Sequence, residues 1–287
     1  MAVSVTRRRR QLGSLGVVVV AVGVLLLAAA LHKSKAPPPA PPPPKIVRIT
    51  IPEGETRGQI ARIAASEGLT GSYLVAARRS PLLDPAHYGA PAGTPNLEGF
   101  LFPATYELYA GSPAGHLVAL QLQAFEENFG RDEIRRAHEL HITPYQLLIV
   151  ASMVEREALL RSDRPKVAAV IYNRLRLGMP LGIDATIRYA LNDFSAPLTE
   201  AQLQTDSPYN TRTHVGLPPT PISNPGVAAI EAAAHPAHVP YLYYVNGADG
   251  CGELVFSTSS AEFERNAAAY REAVNRNGGR EPTCRKK

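Results

Sequence analysis

Cysteine is scarce in this sequence, which contains only Cys251 and Cys284 among 287 residues. Their separation fits no zinc-binding pattern, and neither belongs to a recognisable Cys–His catalytic pattern. HExxH and GxSxG motifs are also absent, and the eight histidines are scattered along the chain. These absences argue against metal-dependent and serine- or cysteine-based catalysis. We expect neither a metal ion nor another cofactor.

Acidic residues are absent from residues 1–35, which hold six lysines and arginines, four of them consecutive at residues 7–10. The rest of the chain therefore carries 24 basic against 25 acidic residues. The net charge of +5 thus belongs to the amino-terminal segment, and the remainder lacks the basic surface typical of nucleic-acid-binding proteins. We expect no nucleic-acid partner.

Residues 12–31 form an uncharged run of twenty residues. As a helix this run would be about 30 Å long, the thickness of a bilayer's hydrocarbon core. The arginines within residues 1–11 favour a cytoplasmic amino terminus, because positive flanks stay inside. The sequence therefore predicts a single-pass protein of the cell membrane whose folded part lies outside the cytoplasm. A cleaved signal peptide is the alternative, although its apolar region is usually only about 7–15 residues long.

Composition and periodicity divide the rest of the chain into four parts. Residues 32–45 are a proline-rich linker whose APPPAPPPP stretch would span about 28 Å as a polyproline helix. Residues 46–96 read as a small β-α-α lobe that resembles a LysM module, and residues 97–277 as a larger, mostly helical domain. Residues 278–287 are a polar tail. The predicted class is α+β, mostly helical, with a small antiparallel sheet.

Capping patterns mark two helix starts most clearly. Thr56 with Gln59 forms a capping-box pattern, and Thr143 with Gln146 repeats it, with Pro144 at the first helical position. The predicted elements are a strand at residues 46–51, helices at about 57–68, 72–79, 112–129, 144–160, 165–177, 184–191, 199–204 and 225–234, strands at 241–246 and 253–257, and a helix at about 260–275.

Two glutamates, Glu155 and Glu157, lie near the end of a predicted helix that is apolar nearly all round. At 100° per residue they point about 200° apart, so a straight helix cannot direct both into one cleft. Apolar surroundings raise the pKa of a carboxyl group, as a general acid near neutral pH requires. The alternative is that both pair with arginines such as Arg161, Arg174 or Arg176. The helix pattern alone leaves both interpretations open.

Several segments resemble the YceG-like endolytic murein transglycosylases. They are LEGFLFPATY (residues 97–106), ASMVERE (151–157), YNRLRLGMPL (172–181), SPYNTRTHVGLPPTPISNPG (207–226) and HPAHVPYLYYV (235–245). The segments occur in the family's order, and the resemblance extends over roughly residues 46–271. It therefore covers the small lobe and nearly all of the larger domain, residues 97–277, which it identifies as the catalytic domain.

The resemblance implies an enzyme that cleaves the MurNAc–GlcNAc bond within nascent peptidoglycan glycan strands and leaves 1,6-anhydro-MurNAc ends. It assigns the essential acid and base role to the second glutamate of the pair, Glu157. It also implies work in cell wall biogenesis and cell division beside the membrane, with peptidoglycan synthases as candidate partners. The implied substrate-binding residues, each with a structural alternative as a cap, brace or core residue, are Glu98, Asn173, Asp184, Tyr209, Asn210 and Thr211.

One segment departs from the family's usual L-Q-T-D-P-T pattern. Gly182, Ile183 and Ala185 stand where the family usually has glutamine, threonine and proline, so contacts of those side chains are lost here. Two other functions are compatible with the sequence. One is a muramidase that admits water in place of the sugar hydroxyl, and the other is an inactive, membrane-tethered peptidoglycan-binding scaffold.

Both cysteines follow the predicted membrane span on its external side, where disulfides persist. We expect a disulfide between Cys251 and Cys284 that fixes the tail across a hairpin, far from the chemistry. Two unrelated free thiols are the alternative.

Overall fold

The structure, a computed structural model, describes Val24, residues 45–195 and residues 197–284. Apart from Val24, the predicted cytoplasmic segment and membrane helix (residues 1–31) lie outside the described residues, as does nearly all of the proline-rich linker. Among the helices that the structure describes, none is long and apolar enough to cross a membrane. The folded part, Pro44–Lys287, forms one compact unit.

The amino-terminal lobe is built from two strands and two helices. Its elements are β1 (Ile46–Thr50), α1 (Arg57–Ser66), α2 (Tyr73–Ala76) and β2 (Thr105–Tyr109). Thr56 caps α1 and forms the predicted capping box with Gln59. β1 pairs antiparallel with β2, which lies inside the stretch that the sequence assigns to the catalytic domain. The lobe therefore extends beyond residue 96, because its second strand is β2. This strand leads directly into the larger part.

The larger part is mostly helical. Its helices are α3 (Ala114–Asn128), α4 (Arg131–Glu139), α5 (Pro144–Glu157), α6 (Arg164–Arg176), α7 (Asp184–Leu191), α8 (Glu200–Leu203), α9 (Val227–Ala234) and α10 (Ser260–Arg276). The sequence analysis missed α4, which follows α3 after only two residues. A capping interaction opens α4, because the Glu133 carboxylate accepts a hydrogen bond from the backbone N–H of Gly130. The other helices lie within a few residues of their predicted positions.

Helix α5 is the centre of the core. Thr143 and Gln146 form the predicted capping box at its start, and its residues from Leu147 to Val154 are all buried. It packs against α4, α6 and α9, which explains why its apolar residues surround the whole helix instead of one face. Each fully buried aliphatic side chain contributes about 1.5–3 kcal/mol. The core therefore fixes the position of this helix firmly.

A hairpin and the last helix complete the fold. Strands β3 (Tyr243–Asn246) and β4 (Leu254–Ser257) pair antiparallel, as predicted, and Tyr243 stacks on Phe263 of α10 with ring centroids 5.4 Å apart. The described strands thus form two separate two-stranded sheets where the sequence predicts one. A disulfide joins Cys251, in the hairpin turn, to Cys284, in the segment after α10.

Candidate active site

Glu157 is the last residue of α5. Ala158 follows in an extended conformation, with φ −107° and ψ 108°, so the helix ends three residues earlier than its apolar pattern predicts. The chain must turn there because α6 begins at Arg164 and packs back against α5. The early end places the half-buried Glu157 side chain at the rim of the core.

The Glu157 carboxyl group has one close side-chain partner. Tyr244, on β3, donates a hydrogen bond from its hydroxyl to Oε2 of Glu157 at 2.9 Å. Burial raises the pKa of Glu157, and the negative charge of Asp184 adds to that effect. The hydrogen bonds from Tyr244 and from the backbone of Ala185, with the charge of Arg156, offset only part of the rise. The group therefore retains its proton to higher pH than an ordinary glutamate.

A cleft of about 480 Å³ opens on one side of Glu157. We call it the Asp184 cleft, and its charged lining residues are Glu157, Arg174, Asp184 and Arg212. Asp184 is already bound, because Arg212 donates to its Oδ1 from both Nε at 2.8 Å and Nη2 at 2.7 Å. The Arg174 guanidinium lies 5.1 Å from the ring centre of Tyr243. The cleft thus offers cations and an aromatic ring to a polar ligand.

A smaller cleft of about 260 Å³ opens on another side of Glu157. We call it the tail cleft, because Glu281 and Pro282 of the segment after α10 line it together with Cys251. The disulfide is therefore nearer to Glu157 than the sequence analysis expects, because Cys251 and Glu157 line the same cleft. The hairpin turn folds back over the end of α5, so the bond lies beside the same glutamate that the Asp184 cleft contains.

Glu155 has a different environment from Glu157. Its carboxylate accepts hydrogen bonds from Arg164 at 2.7 Å and from the backbone N–H of Gly226 at 3.0 Å. Burial raises the pKa of Glu155, although the Gly226 hydrogen bond and the Arg164 charge oppose the rise. Glu155 thus pairs with an arginine, as one of the two interpretations of the sequence expects. The partner is Arg164 and not Arg161, Arg174 or Arg176. The two glutamates turn to different partners, as their 200° separation predicts.

Glu98 lies in the core, away from both clefts. Its side chain is 3% exposed, and it accepts hydrogen bonds from the backbone N–H of Arg57, from Asn224 at 2.8 Å and from Tyr189 at 3.2 Å. Burial raises the pKa of Glu98 to about 7 in spite of these donors and the Arg57 charge. The structure places Glu98 where it holds the LEGFLFPATY segment against α1, α7 and the loop before α9.

Asn173 and Tyr209 also lie outside the two clefts. Asn173 donates to the backbone carbonyls of Val239 and Tyr241, each at 2.9 Å, and so fixes the chain that enters β3. The Tyr209 hydroxyl pairs with the Thr220 hydroxyl at 2.9 Å. Both residues support the loops around the site without lining the clefts beside Glu157.

Asn210 and Thr211 lie directly behind the Asp184 cleft. The Asn210 side chain accepts a hydrogen bond from the backbone N–H of Arg212 at 3.0 Å. Thr211 accepts from the backbone N–H of Ile183 at 3.0 Å. These buried contacts hold the Arg212 loop beside the start of α7 and so bring Arg212 to Asp184. Of the residues implied by the resemblance, the structure brings only Glu157 and Asp184 into one cleft.

Two residues that the sequence analysis did not name, Arg212 and Tyr244, face the site, and so does Arg174, which it named only as a possible partner of the glutamates. All three lie inside the segments that carry the family resemblance, which was the only signal for Arg212 and Tyr244. Tyr244 comes from an alternating strand, but which tyrosine of that strand meets Glu157 depends on how β3 packs against α5. No local pattern in one sequence contains that information.

The departure at Gly182 has a local reason. Gly182 has a positive φ of 65°, and a Cβ there would come within 3.3 Å of Nη1 of Arg174. That same nitrogen donates to the backbone carbonyl of Leu181 at 2.6 Å. Glycine therefore permits the close approach of Arg174 to this turn and leaves the cleft wall without a side chain.

Comparison with known proteins agrees with this fold. The profile of the YceG-like family matches residues 27–269, and the chain belongs to that family. It is 36% identical over 185 residues to an endolytic murein transglycosylase of Bacillus subtilis, a match that covers 62% of this chain and 49% of that protein. It is 30% identical over 248 residues to an endolytic murein transglycosylase of Streptococcus pneumoniae, a match that covers 78% of this chain and 45% of that protein.

The chain spans about half the length of these curated relatives. A crystal structure of a yceG-like protein from Listeria monocytogenes is also similar, with 31% identity and a TM-score of 0.67. That match covers 76% of this chain and 75% of the other. The mostly helical fold with small antiparallel sheets is therefore that of the family.

Proposed function

We propose that this protein is a lytic endotransglycosylase that cleaves the MurNAc–GlcNAc bond within nascent peptidoglycan strands and leaves 1,6-anhydro-MurNAc ends. The observation that carries the proposal is Glu157, a glutamate with a raised pKa at the junction of two clefts. The names of the relatives, endolytic murein transglycosylases, support the choice of substrate.

The first step needs an acid. Protonated Glu157 donates its proton to the glycosidic oxygen while the bond from that oxygen to C1 of MurNAc breaks. Burial favours the protonated form, because it raises the pKa of Glu157. The hydrogen bond from Tyr244 fixes the carboxyl group, so that the proton can be directed toward the bound strand instead of toward the core.

The second step needs a base. The Glu157 carboxylate takes the proton of the MurNAc C6 hydroxyl, whose oxygen attacks C1 and closes the 1,6-anhydro ring. Glu157 ends protonated, so the cycle is balanced and no water is consumed. The Tyr244 hydroxyl and the Ala185 backbone stabilise the carboxylate between the two steps.

One carboxylate suffices for this reaction because the nucleophile belongs to the sugar. Ordinary glycosidases need a second carboxylate to act as a nucleophile or to hold a water molecule. Asp184, which lines the same cleft, has both Arg212 hydrogen bonds on one of its oxygens. That ion pair favours a role in shaping the cleft over activation of water.

The proposal includes the position of the protein in the cell. The uncharged run at residues 12–31, with the arginines before it, supports a single membrane span with a cytoplasmic amino terminus. The strand-helix-helix-strand order of the first lobe supports a LysM-like module. Peptidoglycan synthases are the candidate partners of an enzyme that acts on new strands beside the membrane.

The substitution Glu157→Gln tests the assignment. It removes the proton that the reaction needs but keeps the side-chain volume and an oxygen that can accept from Tyr244. We expect cleavage of purified peptidoglycan to be lost, by about 100-fold or more, while the fold and binding to the glycan persist. Retention of more than a few per cent of the activity in the purified variant would contradict the role of Glu157.

A further inference from the structure

The tail cleft has no assigned role in the reaction described above. Resting on the proposed function, we propose that this cleft is a second glycan subsite, which binds the strand on the opposite side of the scissile bond from the Asp184 cleft. The disulfide-bonded tail forms one of its walls. The occupant is the same peptidoglycan strand that the Asp184 cleft binds.

The two clefts meet at the acid. Glu157, Asn246 and Leu254 line both of them, so the carboxyl group lies at their junction. An enzyme that cuts inside a strand must hold sugars on both sides of the bond that breaks. A single cleft on one side of Glu157 would provide for only one of the two products.

The tail is fixed in place by three separate contacts. Cys284 is bonded to Cys251, and the Asn277 side chain donates to the backbone carbonyl of Glu281 at 2.6 Å. Gly250 provides the third contact, because a Cβ there would lie only 2.1 Å from the backbone oxygen of Pro282. The tail backbone therefore rests directly on the hairpin turn.

The lining of the tail cleft suits a sugar with an acetamido group. Leu159 is 78% exposed and lines the cleft with Leu254, which offers apolar surface to a pyranose ring. Asn246, Tyr270 and Glu281 add hydrogen-bonding side chains. The hairpin turn packs closely against Leu159, because a Cβ at Gly252 would come within 2.8 Å of the Leu159 side chain.

A binding experiment on the full-length protein in detergent tests the proposal. All variants carry Glu157→Gln, so that uncrosslinked glycan strands are bound without being cut. Gly250→Ala displaces the tail and keeps the disulfide, whereas Cys251→Ser with Cys284→Ser releases the tail. The matched control is Gly93→Ala, since Gly93 has a comparable φ of 82° and nothing within 4 Å of its Cβ position.

We expect both tail variants to bind long strands about tenfold more weakly than the parent, through loss of the sugar contacts in one subsite. The Gly93→Ala control should bind like the parent. A disaccharide, which can occupy the Asp184 cleft alone, should bind all four proteins equally. Reductant added to the parent should reproduce the loss for long strands.

Unchanged affinity for long strands in the folded tail variants, or in the reduced parent, would overturn the subsite. An equal loss for the disaccharide and the long strand would also overturn it, because the change would then be a general distortion of the site. Neither comparison depends on cleavage. Failure of the proposed function would instead show as absence of cutting by the unmodified protein.

Discussion

In the proposed reaction, the Glu157 carboxyl group must hold a proton at the start and carry a negative charge between the two steps. Burial raises its pKa, while Tyr244 and the Ala185 backbone lower it. The effect of burial is the larger, so the pKa of Glu157 is raised overall. The groups around Glu157 should therefore set the pH range of the proposed activity through its pKa.

Activity should fall as the pH rises through the raised pKa of Glu157, because only the protonated form can donate to the glycosidic oxygen. Tyr244→Phe removes a hydrogen bond that favours the carboxylate, so this variant should have a still higher pKa. We expect its alkaline limb to move to higher pH and its maximal rate to fall. Rate profiles of both proteins between pH 4 and 10 would measure this.

A Tyr244→Phe profile that moves to lower pH, or an unmodified enzyme with no alkaline decline, would count against Glu157 as the acid. Tyr243→Phe is the matched control. It removes a neighbouring hydroxyl from the same cleft, whereas the hydrogen bond to Glu157 comes from Tyr244. Its profile should therefore coincide with that of the unmodified enzyme.

Glu155 should behave differently, because its partner is a buried cation. The side chains of Glu155 and Arg164 are only 5% and 9% exposed, so Glu155→Gln removes the nearer carboxylate partner of Arg164 and leaves only Glu53, 3.8 Å away. We expect a loss of about 3 kcal/mol in the free energy of unfolding. Denaturant unfolding would measure it, and the protein that remains folded should still cleave glycan. A stable but inactive variant would instead place Glu155 in the chemistry.

At the scale of elements, local sequence predicts helices whose ends carry their own capping residues. Thr56 and Thr143 mark the starts of α1 and α5 correctly because their side chains satisfy backbone N–H groups of the first turn. Strand β2 could not be predicted in the same way, because its partner β1 lies more than fifty residues earlier in the chain. Helix α4 was missed because only two residues separate it from α3.

One covalent bond joins the carboxy-terminal segment to the hairpin turn. Its closed loop has a sequence separation of 33 residues, and such a crosslink stabilises by about 3–4 kcal/mol through the unfolded chain. We expect Cys284→Ser to lower the melting temperature by several degrees relative to the oxidised protein. Because the tail lines a cleft beside Glu157, cleavage of long strands should also weaken, mainly through a higher KM.

The matched measurement is the oxidised against the reduced unmodified protein, which should show the same two changes. A Cys284→Ser variant that melts and cleaves like the oxidised protein would show that the tail is held without the bond. A Cys284→Ser variant with a lower melting temperature but an unchanged KM would show that the disulfide only stabilises the fold. That result would contradict a role of the tail in strand binding.

At the scale of the whole molecule, the resemblance locates the site but does not separate its residues by role. Glu98, Asn173 and Asn210 make hydrogen bonds that hold loops together, whereas Asp184 lines the cleft. One sequence does not distinguish a polar residue that supports a loop from a polar residue that binds a sugar. Only the folded chain shows which of them faces the acid.

The product of strand cleavage tests the proposed role of Glu157 most directly. Purified peptidoglycan strands should be digested with the full-length protein and with Glu157→Gln, and the new ends analysed by mass spectrometry. We predict internal cuts whose MurNAc ends are lighter by one water than hydrolysed ends, and none with the variant. Hydrated ends would show a muramidase that admits water, and the absence of new ends would show a binding scaffold. Either result would contradict the single-carboxylate transglycosylase described above.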